Sequence, residues 1–190
     1  MRSFLFAVSL AALSVSGASP HHPAAPAAPR TVPQLDALFG RLAKAGSDEE
    51  AKPIEDQILA LFLESGSASV DLLMTRAATA LAADDMDTAQ QLLEVITKVA
   101  PDYAEGWHQR GKLQALAGDD EGAIVSLQKA VSLNPRQFAA MTELGGILVE
   151  YGDKRDALKI LRKAQGLDPH FSGIDREVRQ LTREVEGDRI

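Results

Sequence analysis

The chain contains no cysteine among its 190 residues. That excludes disulfides, a thiolate nucleophile and the lipidated cysteine of a bacterial lipoprotein anchor, so stability has to come from packing alone. Aromatic side chains are scarce as well, with one Trp, two Tyr and six Phe. A core made instead of Leu, Ala, Val and Ile, with helix formers abundant, fits closely packed helices better than a sheet. Beyond the N-terminus there is no long apolar run. Basic charge is also in short supply: 20 Lys and Arg stand against 27 Asp and Glu, a net charge of −7. That balance argues against nucleic acid and against anionic membrane surfaces as partners.

Catalytic signatures are missing too. No G-x-S-x-G occurs, and although Gly106 to Lys112 has the glycine and lysine spacing of a phosphate-binding loop, Leu113 stands where magnesium needs a hydroxyl. His21 and His22 are adjacent in a Pro/Ala tract, which makes a poor metal site, and His108 and His170 are 62 residues apart. Asp84-Asp85, Asp119-Asp120 and Asp153 lack the alternating oxygen ligands of a calcium loop and read as helix caps. The expectation is a non-enzyme with no cofactor and no metal.

What is present is a period. Pro101, Pro135 and Pro169 stand 34 residues apart, each closing a matching pattern of large and small side chains. In register, the fourth positions are Leu73, Trp107 and Met141, and the eighth are Ala77, Gly111 and Gly145. Further along come Ala89, Ala123 and Ala157, then Leu93, Leu127 and Leu161, then Ile96, Ala130 and Ala164. The register makes Trp107 a core residue. Residues 70–171 resemble the tetratricopeptide repeat family as three units, 70–103, 104–137 and 138–171, with Arg76 and Arg110 standing where the family favours Leu. The resemblance implies an all-α solenoid of helical hairpins that binds proteins or peptides.

In that family the first helix of each unit lines a concave face. Carried over by register, the groove residues are Asp71, Met74, Ala78 and Leu81, then Glu105, His108, Lys112 and Ala115, then Ala139, Thr142, Gly146 and Val149. His108 and Lys112 are its only cationic candidates, so the groove does not resemble one that clamps a C-terminal carboxylate. A helix or an extended apolar segment fits it better, with binding along the edges as the alternative.

The flanks read separately. Residues 1–18 have the basic start, apolar stretch and small-residue cleavage site of a signal peptide, which predicts a periplasmic or secreted protein. Residues 19–33 are a Pro/Ala-rich tether. Across residues 34–66, Leu35, Leu38, Phe39 and Leu42, then Ile54, Ile58, Leu61 and Phe62, predict an amphipathic hairpin; Ser47 to Glu50 form a capping box. Glu55 falls where a repeat needs a small residue, so the hairpin reads as a degenerate repeat or cap over the N-terminal face of the array. Residues 172–187 predict a C-terminal capping helix. A monomeric adaptor in the periplasm is the leading expectation; an accessory subunit of an envelope enzyme, such as one remodelling peptidoglycan, is the alternative.

Overall fold

The structure, a computed structural model, describes residues 31–171 and 173–187; the expected signal segment and most of the tether lie outside them. Among the described residues there are nine α-helices and no strands: α1 (Thr31–Leu42), α2 (Asp48–Phe62), α3 (Ala68–Ala82), α4 (Met86–Val99), α5 (Ala104–Leu116), α6 (Asp120–Leu133), α7 (Phe138–Glu150), α8 (Lys154–Leu167) and α9 (Ile174–Glu186). From α3 onward each helix packs on the next. The protein is an all-α helical repeat array.

The 34-residue period works through two local devices. At the bend inside each repeat the chain takes a left-handed residue, Asp84 (φ 59°), Gly118 (φ 78°) or Gly152 (φ 82°). An aspartate then caps the second helix: Asp85, Asp119 and Asp153 accept the N–H groups of Thr88, Gly122 and Asp156 at 3.1, 3.0 and 3.4 Å. The second device is the small eighth residue. A Cβ on Gly111 would lie 2.8 Å from Leu127 Cγ, and one on Gly145 would lie 2.5 Å from Leu161 Cγ. These two helix pairs therefore meet at a distance that only glycine permits.

Trp107 is half-buried rather than a core residue. It leans on the middle cluster of Ala123, Leu127 and Leu144, while its Nε1 donates to Pro101 O at 3.0 Å and Arg110 lies 5.4 Å from its ring centroid. An indole at a helix edge can bury its flat body and keep its N–H near water, whereas Met141 at the equivalent position is fully covered.

The hairpin differs most from expectation. α1 begins at Thr31 and takes in the last residues assigned to the tether, since Pro33 sits in its first turn where no backbone donor is needed. Ser47 caps α2, and Glu50 Oε2 accepts the N–H of Gly46 at 2.9 Å. The hairpin does not cover the first repeat. α1 and α2 approach extensively only each other, and their apolar face joins the core of the third repeat, α8 and α9. Phe39 and Phe62 lie 6.2 and 6.4 Å from Phe138, which in turn packs edge-on to Phe171 at 4.9 Å.

The hairpin reaches that core by running along the turns that close the repeats. At the first turn, Tyr103 Oη donates to Leu63 O at 2.7 Å. At the second, Arg136 pairs with Asp36 at 2.6 Å, and its guanidinium carbon lies 3.9 Å from the Phe39 ring centroid. At the third, His170 places Nδ1 2.8 Å from Asp48 and Nε2 3.1 Å from Ala45 O. Arg136 and His170 are equivalent residues of successive repeats, and Tyr103 lies one place further along its own. The hairpin is a clasp along one edge of the array.

Candidate functional site

The inner positions of α3 share one recess. Asp71, Met74, Ala78 and Leu81 line an open recess of about 510 Å³, closed on the other side by Leu63 and Glu64 of the segment linking α2 to α3, with Gln109 at one end. Met74 is buried in its floor; Ala78 is exposed and Leu81 half-exposed. Asp71 is held in place because Ser65 donates to its Oδ1 twice, from N at 2.9 Å and from Oγ at 2.6 Å. The volume falls in the range of roughly 300–1,000 Å³ usual for ligand pockets.

Glu105 and His108 correct the expectation. Both are buried, each at 5% exposure, in a polar network joining α5 to α7, and neither is an open groove contact. His108 Nδ1 lies 3.2 Å from Glu105 Oε2, and Nε2 lies 3.3 Å from Glu143 Oε2 as an ion pair with poor hydrogen-bond alignment. Gln109 Nε2 donates to Glu105 Oε1 at 2.6 Å, and the fully buried Gln137 donates to Glu105 Oε2. Burial pushes the imidazole pKa down, but Glu105 and Glu143 together outweigh it and hold it at about 9. The cation is spent inside the wall, neutralising acids.

The remaining predicted positions separate. Lys112, Ala115 and Gly146 border a separate, more open depression of about 420 Å³ with Glu143 and Glu150. Thr142 donates its hydroxyl to Phe138 O at 3.0 Å, Ala139 is buried, and Val149 packs on the core shared with the hairpin. The expected groove is thus not continuous. The buried His108 network separates a recess at repeat one from a depression between repeats two and three.

Sequence reasoning missed three residues: Tyr103, which fixes one wall of the recess, and the pair Glu55 and Asp168. Both acids are buried, at 4% and 0% exposure, and they face each other between α2 and the third repeat-closing turn. Burial first, and the Asp168 charge second, push the Glu55 pKa up. Burial also raises Asp168, against the N–H of His170, which donates to its Oδ1 at 3.0 Å. The available signal was the misfit of Glu55 to the repeat pattern. Among the described residues no cluster of three or more His, Asp or Glu is placed to hold a metal, and no helix is long and apolar enough to cross a membrane.

Comparison with known proteins agrees with this geometry. A profile described as tetratricopeptide repeat matches residues 104–137, the middle unit of the array. The chain carries a tetratricopeptide repeat. A TPR repeat-containing protein of Rhizobium etli is 27% identical over 156 residues, covering 82% of this chain and 76% of the relative. Among solved structures of the same fold, the first TPR of Spaghetti bound to an Hsp90 peptide aligns with a TM-score of 0.57 at 15% identity, covering 62% of this chain and 95% of the other. The Yersinia enterocolitica type III secretion chaperone SycD, in complex with a peptide of the translocator YopD, aligns with a TM-score of 0.56 at 15% identity, covering 63% and 94%. At that identity the likeness is one of fold.

Proposed function

We propose that this tetratricopeptide-repeat protein is a non-enzymatic interaction scaffold that seats an apolar segment of a partner protein in the recess at repeat one. The carrying observation is the recess itself: four inner positions of α3, Asp71, Met74, Ala78 and Leu81, converge on one open, mainly apolar hollow. The peptide complexes of Spaghetti and SycD support the reading by showing that arrays of this fold take peptides. Export to the periplasm is part of the proposal and rests on residues 1–18.

Photo-crosslinking tests it. A photoreactive residue at position 78, exposed within the recess, should capture a discrete partner in intact cells, and Leu81→Glu should abolish the adduct by placing a charge in the apolar hollow. The same probe at position 129, exposed on α6, is the control. Equal capture from both positions, or an adduct indifferent to Leu81→Glu, rules the recess out.

A further inference from the structure

The two walls of the recess have different origins. Met74, Ala78 and Leu81 belong to the array, whereas Leu63 and Glu64 belong to the segment through which the clasp joins it. That segment is pinned from both ends: Tyr103 holds Leu63 O, Ser65 is bound to Asp71, and beyond it the hairpin is fastened to the second and third repeat-closing turns at Arg136 and His170. The charged side chains lining the hollow are Glu64 and Asp71, both acids.

We propose that the recess is a composite seat completed by the closed clasp, and that it selects a partner segment carrying an apolar anchor beside a Lys or Arg. This rests on the reading of the recess as the binding seat and specifies what it takes. An acidic segment would set like charges against exposed Glu64 and half-buried Asp71, which disfavours it, whereas a flanking cation pairs with them. Because Leu63 and Glu64 belong to the segment through which the hairpin joins the array, a seated segment and a closed clasp stabilise each other. The coupling runs both ways by linkage.

The test uses the full chain and two synthetic helical peptides with the same Leu stripe, one flanked by Lys and one by Glu, read by fluorescence anisotropy. The Lys peptide should bind about tenfold more tightly than the Glu peptide, and Glu64→Lys should erase most of that difference, which separates a local effect from attraction to the chain's overall negative charge. The double variant Arg136→Glu/Phe39→Asp lies outside the recess and should loosen the hairpin, as hydrogen exchange in α1 and α2 would show, and weaken the Lys peptide several-fold. If neither peptide binds, the seat itself is wrong. Equal binding of both leaves the seat standing and overturns the charge selection, as does a preference that survives Glu64→Lys. Undiminished binding with the hairpin demonstrably loose overturns the composite seat. Should the double variant lose helix throughout the array, the hairpin is an inseparable part of the core and the coupling fails, while Glu64→Lys still decides the charge selection.

Discussion

Glu55 and Asp168, 113 positions apart in the chain, meet as two buried acids where the clasp lands on the third repeat. Lys52, with Nζ 3.7 Å from Glu55 Oε2, offsets part of the repulsion, while Asp56 adds to it and His170 stands beside Asp168. Both acids have folded pKa values raised above their ordinary ones, so they bind protons more tightly with the clasp closed. Their contribution is full below the ordinary carboxylate range and is lost as pH rises through the raised values.

Closure should therefore be firmer near pH 5 than near pH 8. Hydrogen exchange in α1 and α2, corrected for its intrinsic pH dependence, should show weaker protection at the higher pH. Glu55→Gln should reduce that dependence, leaving the part carried by His170, whose pKa the Asp48 contact raises, and strengthen closure at pH 8 by about 1 kcal/mol, because a neutral amide can donate to Asp168 without the desolvation cost of a second charge. A profile unchanged by Glu55→Gln would mean the pair is not what titrates.

His108 carries linkage of the same sign within the array, over a higher pH window. Its pKa is held at about 9 by flanking carboxylates, so its stabilisation is complete below about 6.5 and falls away as pH rises through 9. Denaturant unfolding between pH 6.5 and 9 should show a loss of stability that His108→Gln lacks. At pH 6.5 the substitution should cost about 3–5 kcal/mol, since it leaves Glu105 buried without its counter-charge.

Two neighbouring glycines of α7 separate packing from propensity. At Gly146 a Cβ meets nothing within 4 Å, so Gly146→Ala should stabilise the protein by about 0.5–1 kcal/mol through helix propensity. At Gly145 the same methyl would press on Leu161, whose Cγ and Cδ atoms lie within 3.1 Å of it. Gly145→Ala should destabilise by about 1–3 kcal/mol. Thermal unfolding of the two variants should move the midpoint in opposite directions.

The array was legible in the sequence because its contacts are local and repeat with a fixed period. Gly111 and Gly145 announce close helix approaches, and Asp85, Asp119 and Asp153 announce caps, through their position alone. The inner face was legible only where it stayed open, at Asp71, Met74, Ala78 and Leu81. His108 escaped because its fate depends on Glu143 and Gln137, which lie on another helix and fold over it. The hairpin's destination was hidden for a similar reason: Leu38, Phe39 and Phe62 show an apolar face, but periodicity does not say which distant surface covers it. Glu55 was the one visible clue, a buried-position acid that fits no repeat and finds its counterpart in Asp168.

The N-terminal hairpin folds back along the repeat-closing turns to the third repeat. Asp48 and His170, 2.8 Å apart at their nearest side-chain atoms, mark the far end of that contact. In a chain without native cysteine, the double variant Asp48→Cys/His170→Cys can be treated with a short bis-maleimide and the monomer band examined for internal crosslinking. Efficient crosslinking within one chain at low protein concentration, lost when Phe39→Asp and Arg136→Glu are added, is the predicted result. No crosslink in that variant, with efficient internal crosslinking instead in Asp48→Cys/Arg76→Cys, whose second site is exposed on α3, would place the hairpin over the first repeat rather than the third.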